Sequence, residues 1–291
     1  MHAIERCPVC GGDRLRPYAM DPWSAEALHF AQARCLGCGL LIAQPQADDA
    51  EIEAYYGSHY YEERWPDPDA ILASNADMCR HHELPLLRRL WAGWPPPGDA
   101  EVVEVGCGYG AMLEVLRGAG YRVRGCEPSG KAVDVCLRHG LDVVQGEAPG
   151  LPLPRQAFDI SMARHVIEHL TDPRAFVKEM VDLVRPGGVV VVVTEDAWAS
   201  QYAWDRAVAF LRGRLPAFRT SRDHTFVFQA AHLQRLLAEA GCDQVRTRSF
   251  TYRPQRESLH WRAYKGFFRL LDRALGHGDF LVAVGHRPAG A

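Results

Sequence analysis

Two kinds of apolar pattern alternate along most of this chain. Short continuous apolar runs at 101–106, 121–127, 141–146, 158–164 and 188–195 read as strands, and the run VVVVV at 189–193 is apolar on both faces, as a buried parallel strand is. Between them, apolar positions recur at helical spacing over about 110–119, 129–139 and 172–185. Alternation of this kind predicts an α/β fold, a doubly wound, mostly parallel sheet with helices on both faces. Upstream, a helical stretch at 78–92 ends at the prolines of WPPPGD, and downstream a helix at 230–240 precedes two more apolar segments, CDQVRTRSF and FLVAVGHRP. No run has transmembrane length, and no signal-peptide pattern opens the chain, so the expected location is cytoplasmic, with no membrane contact.

Composition narrows the partners. Over 291 residues the formal net charge is only −3, so no overall basic field exists for a nucleic-acid backbone. Nine cysteines in a chain read as cytoplasmic are not expected to form disulfides. Four of them fall at the start as Cys7-x2-Cys10 and Cys35-x2-Cys38, two tight turns able to present four thiolates to one tetrahedral ion. Four protein ligands leave no open position, so Zn2+ here would be structural; the alternative is a relic knuckle without metal. Residues 1–50 hold four arginines and no lysine against six acidic residues, which favours a lid or homodimer contact over a phosphate-binding face. Cys79, Cys107, Cys126, Cys136 and Cys242 read as small buried apolar residues.

The densest chemical signal is VVEVGCGYGA, residues 102–111. An apolar run ends there in Gly106, Gly108 and Gly110, and an amphipathic segment follows: a strand, a tight turn and the opening of a helix whose amides face a ligand crevice. Alone the motif also satisfies the dinucleotide fingerprint. Glu104 precedes the first glycine, and the next strand ends in Glu127, where a carboxylate can accept both ribose hydroxyls of an adenosine. With FDISMARHVIEHLTDP (158–173) and LVRPGGVVVVVTE (183–195), the series resembles the class I S-adenosylmethionine-dependent methyltransferases over roughly residues 80–287.

The resemblance implies a Rossmann-like sheet of seven strands with the last one antiparallel, and S-adenosylmethionine as cofactor. It implies a cofactor site built from Glu104, Gly106, Gly108, Tyr109, Gly110, Glu127, Pro128, Glu147, Ala148 and Arg164. Glu147 would meet the adenine amino group; its bland alternative is an exposed carboxylate. Three regions follow: a zinc ribbon at 1–48, a helical and aromatic linker and lid at 49–98, and the transferase at 99–291, with a substrate-lid insertion at about 197–225. The linker carries an aromatic cluster, YYGSHYYEERWPDPD (55–69), and the insertion carries Trp198, Trp204, Phe210 and Phe218 beside five arginines. Each is either packing or a wall of the acceptor pocket, and the arginines would suit an anionic acceptor.

HVIEH, 165–169, matches an inverted zinc-protease motif, but it follows the fourth strand of a transferase sheet rather than lying on a long helix. In that place it resembles the post-strand motif of sugar C-methyltransferases with N-terminal zinc domains, and of ubiquinone-pathway O-methyltransferases. The first resemblance puts Glu168 and His169 at the reacting atom. The second implies an acidic/His cluster able to hold a divalent ion, with His165 standing where a carboxylate is expected. We expect His169 as base, Glu168 as its orienting partner and His224, in an H-x-x-x-F segment, facing the acceptor from the other side; all three have loop-shaping alternatives. The resulting expectation is a methyltransferase acting on a small-molecule biosynthetic intermediate, with a nucleotide-sugar favoured and C- or O-transfer open. The chain is short for the extra C-terminal domain of the sugar enzymes. The alternatives are a natural-product or lipid O-methyltransferase, a ribbon-guided RNA methyltransferase and a non-enzymatic cofactor-binding partner protein.

Overall fold

The computed structural model describes residues 3–20, 31–46, 51, 67–91, 93–196, 224–251, 266–268, 270–272 and 274–290, with positions 204, 208 and 211. The aromatic cluster at 55–66 and nearly all of the insertion at 197–223 lie outside the described residues.

The N-terminal part forms an antiparallel sheet of β1 (Leu15–Met20), β2 (Ala31–Cys35) and β3 (Leu41–Gln44), with the two cysteine turns at one end. The expected helix at 78–92 starts a full ten residues earlier. Asp67 caps α1 (Pro68–Met78) by accepting from Ala70 N at 3.1 Å, and Pro68 fits the first turn because its missing N–H has no acceptor there. The helix then widens into a π turn, Cys79–Glu83, before α2 (Leu84–Leu90). An insertion of that kind turns side chains onto a face that regular spacing would not give them, and Glu83 is one of these.

The α/β core follows in order: β4 (Glu101–Val105), α3 (Ala111–Gly118), β5 (Arg122–Glu127), α4 (Gly130–Arg138), β6 (Val143–Gln145), β7 (Phe158–Arg164), α5 (Pro173–Leu183) and β8 (Val184–Glu195). It ends with β9 (Phe226–Val227), α6 (Ala230–Glu239), β10 (Asp243–Phe250) and β11 (Phe280–His286). Seven strands form one sheet in the order β10-β11-β8-β7-β4-β5-β6, parallel except that β11 runs antiparallel to both neighbours. The expected sheet and its antiparallel last strand are therefore present. One face is covered by Phe176, Met180 and Leu183 of α5 with Leu233, Leu236 and Leu237 of α6; the other by Leu87, Met112 and Leu116. Each of these side chains is buried, at about 1.5–3 kcal/mol apiece relative to exposure.

Connections leave β4 to one side for β5 and later return to its other side for β7, so the crevice opens at the carboxyl end of β4. β9 belongs to neither flank of this sheet. It pairs antiparallel with β3, Leu41 with Val227 and Ile42 with Phe226, and so makes the N-terminal sheet four-stranded. Among the described residues, no helix is long and apolar enough to cross a membrane.

Candidate active site

The glycine turn closes as its sequence requires. Gly106 sits at φ +69°, and a Cβ there would come within 2.4 Å of Val166 Cγ2; at Gly110, φ +80°, a Cβ would come within 2.4 Å of Leu141 Cδ1. Gly108 N donates to Glu127 Oε2 at 2.9 Å and Ser129 N to Glu127 Oε1 at 3.1 Å, so two backbone amides fix the buried carboxylate at the mouth of the crevice. Tyr109 is buried beside it, and burial raises its phenol. The Pro128 carbonyl accepts from Gln145 Nε2 at 2.9 Å. Glu147 is exposed and Ala148 half-buried, beyond the end of β6.

Beneath the turn lies a buried ion cluster. Arg164, at the end of β7, donates through Nε and Nη2 to the two oxygens of Glu83 at 2.5 and 3.0 Å, and its Nη1 lies 3.5 Å from Glu104 Oε1. Its guanidinium is thus engaged by carboxylates. Glu104 is 1 % exposed and its Oε2 has no hydrogen-bond partner. Burial, opposed by Arg164 and reinforced by Glu83, pushes its carboxyl up to about 7. Two carboxylates against one guanidinium leave a place that favours an added cation. Glu83 escaped the sequence reading because its partner Arg164 is 81 positions away and only the π turn aims it inward.

A second cluster stands where β7 and β8 end. After Arg164, His165 takes φ +54°, and Ile167–His169 make a single 3-10 turn. Glu168, His169 and His224 come together, each offering a ligand atom within 4.8 Å of the others, and the two imidazoles meet edge to face at 4.7 Å. Glu168 is 1 % exposed. His165 Nδ1 lies 3.3 Å from its Oε1, and its Oε2 is unpartnered. Burial pushes this carboxyl up, but the hydrogen bond to His165 and the charges of His165, His169 and His224 outweigh it and bring it down to about 2. His224 Nδ1 reaches Glu195 Oε2, at the end of β8, at 3.4 Å. His165 also packs its ring edge against Phe280 at 5.0 Å. Thr225, absent from the sequence reading, donates from N to Glu168 O at 2.6 Å and from Oγ1 to His169 O at 3.3 Å.

Cys7, Cys10, Cys35 and Cys38 form the other cluster. Their Sγ atoms lie within 4.8 Å of one another, with Cys7–Cys38 and Cys10–Cys35 at 3.5 Å. A tetrahedral ion with bonds of about 2.3 Å needs sulfurs about 3.8 Å apart, so the donor set fits Zn2+ with little adjustment. Gly12 N donates to Cys10 Sγ at 3.4 Å, and a Cβ at Gly12 or Gly37 would press on that sulfur at 3.3 and 3.4 Å. The Cys38 thiol beside Cys7 lowers Cys7 to about 5, and the resulting anion raises Cys38. The remaining five cysteines are free and buried, in keeping with their packing role.

Comparison with known proteins gives a consistent result. A family model described as a methyltransferase domain matches residues 77–247. The chain is 30 % identical over 201 residues to the ubiquinone biosynthesis O-methyltransferase of Thiobacillus denitrificans, covering 66 % of this chain and 83 % of that protein. It is 30 % identical over 220 residues to the protein of the same name from Cupriavidus pinatubonensis, covering 72 % and 84 %. Among solved structures, phosphoethanolamine N-methyltransferase 2 of Haemonchus contortus, in complex with S-adenosyl-L-methionine, superposes with TM-score 0.54 at 11 % identity, over 85 % of this chain and 62 % of that one.

Proposed function

The chain belongs to the class I S-adenosylmethionine-dependent methyltransferases, and we propose that it methylates a hydroxyl oxygen of a small biosynthetic intermediate. One observation carries the choice of chemistry: a buried carboxylate and two imidazoles, Glu168, His169 and His224, gathered beside the cofactor crevice. The bound cofactor supplies an activated methyl group, transferred as the new O–CH3 bond forms and the S–CH3 bond breaks. Glu127 would hold the ribose hydroxyls, Glu147 and Ala148 the adenine edge, and Glu104 the ammonium of the methionine part. The unpartnered Glu104 Oε2 fits that placement.

His169 takes the hydroxyl proton as the oxygen attacks, and the Glu168 carboxylate stabilises the imidazolium. His224, braced by Glu195, orients the acceptor from the other side. The relatives' name supports oxygen as the methylated atom. It gives no support to the nucleotide-sugar favoured from sequence, so a hydroxylated, carbon-framed acceptor replaces it here. The four thiolates hold a structural zinc.

The same triad supports a second reading, in which a divalent cation sits between Glu168, His169 and His224 and lowers the pKa of the acceptor hydroxyl. Its third ligand is then His224; the structure turns His165 toward Glu168 instead.

Methyl-labelled S-adenosylmethionine offered with hydroxylated small molecules, nucleotide-sugars and total RNA in parallel tests the proposal. Label on a small-molecule oxygen, lost in His169→Ala, is the expected result; label in RNA or on a sugar carbon sinks it. Mn2+ binding followed by electron paramagnetic resonance in the parent and in Glu168→Gln separates the two readings.

A further inference from the structure

Two regions distant in sequence, the N-terminal sheet and the turn bearing Glu168 and His169, meet at one residue. A single 3-10 turn leaves the carbonyls of residues 168 and 169 without partners inside it, and carbonyls drawn wholly or partly out of water need donors. Thr225 supplies both, through its N–H at 2.6 Å and its hydroxyl at 3.3 Å. Its own carbonyl accepts Ala43 N–H at 2.8 Å, in register with the β3–β9 pairing that starts at the next residue. His224 immediately precedes it. Thr225 is therefore bonded to strand β3 on one side and to the catalytic turn on the other, and it sets where the His224 backbone begins.

The N-terminal sheet is itself anchored to the transferase. His232 Nδ1 accepts from Gln229 N at 3.0 Å, which leaves the proton on Nε2 to donate to Cys38 O at 3.0 Å. Arg174, on α5, donates to the carbonyls of Pro8 at 2.7 Å and Val9 at 2.5 Å. Both cysteine turns are thus fastened, and β3, paired on one side with β2 and on the other with β9, is a fixed rail rather than a loose flap.

We infer that Thr225 is a positioning residue for methyl transfer, locking Glu168, His169 and His224 to the rail formed by β3. The inference rests on the catalytic reading given above. Displacement of a reacting group by about 1 Å costs up to 100-fold in rate, so a residue acting through the backbone of Glu168 and His169 can govern turnover from this place.

The test compares Thr225→Val, Thr225→Ser and His169→Ala in the full-length protein. Valine keeps the β-branch and both backbone bonds and removes only the hydroxyl. Thr225→Val is expected to lower kcat about tenfold and shift the pH profile of kcat/KM, with cofactor Kd unchanged and Tm lowered only by the loss of one hydrogen bond, and Thr225→Ser to restore all three. A Thr225→Val protein with the parent's kcat and pH profile, beside an inactive His169→Ala, overturns the inference and leaves the catalytic reading standing. Parent-like turnover in His169→Ala overturns both. A Thr225→Val loss matched by equal losses in cofactor affinity and Tm reduces Thr225 to a fold residue and also overturns the inference.

Discussion

Replacing Glu104 by glutamine tests the electrostatics of the cofactor crevice directly. The carboxyl is 1 % exposed, meets Arg164 only at 3.5 Å, and is pushed up from 4.5 to about 7, by burial first. Because the folded chain then holds this proton more tightly than the unfolded chain, stability falls as pH rises from 4.5 to about 7. At about 1.4 kcal/mol per pKa unit the fall totals about 3 kcal/mol, and full burial calls for no discount for solvent screening. Glutamine has no proton to lose. Urea denaturation at about pH 5 and about pH 8, without added cofactor, should show the parent losing stability between them and Glu104→Gln holding level. Calorimetry with S-adenosylmethionine supplies the second half. An ammonium facing this carboxylate contributes about 1.5–3 kcal/mol, so the variant should bind about 10- to 100-fold more weakly, and the parent should release a proton on binding near pH 7. A variant that keeps the parent's pH slope would place the titration on another group. One that binds cofactor undiminished would remove Glu104 from the site.

Three further outcomes follow from the same geometry. Gly106→Ala forces a left-handed residue, at about 1–2 kcal/mol, and drives a methyl into Val166; Tm and cofactor affinity should fall, and Val166→Ala in the same chain should recover part of the Tm, whereas a single variant with the parent's Tm would refute the clash. Glu168 is held down to about 2, so its contribution of about 3 kcal/mol is complete above its ordinary 4.5 and disappears as pH falls from there toward 2; Glu168→Gln should flatten that acid limb in urea midpoints, and an unchanged limb would count against the histidine surroundings. Elemental analysis should find one zinc per chain, and Cys35→Ser should release it and lower Tm; a metal-free protein of full thermal stability would make the four cysteines a relic.

Much of the transferase core was readable in advance because its signals are local. The Gly106–Gly110 turn, Glu127 at a strand end and the apolar run 189–193 each carry their reason within a few residues. Helix limits were less readable: the start at Pro68 depends on the Asp67 cap, and the π turn at Cys79–Glu83 breaks the spacing by which faces are assigned. What could not be read was the long-range pairing. Glu83 with Arg164, Glu195 with His224 and Ala43 with Thr225 are joined only by the folded chain. No periodicity in one segment names its partner in another. HVIEH and the H-x-x-x-F segment each announced candidate residues, but that His224 joins Glu168 and His169 while His165 turns aside to Glu168 came from topology.

The pairing of β3 with β9 also bears on the order in which this protein is made. The cysteine turns leave the ribosome well before the α/β core, yet the strand that completes their sheet is residues 226–227. Until those residues emerge, β3 presents open N–H and C=O groups along an edge, the kind of edge that recruits strands from other chains. Closing so long a loop is slow by its contact order, and it coincides with delivery of His224 and Thr225 to the turn bearing Glu168 and His169. Completion of the N-terminal sheet and assembly of the proposed active centre are thus one event, and a nascent chain halted before it holds an unsealed edge and an unassembled Glu168–His169–His224 cluster.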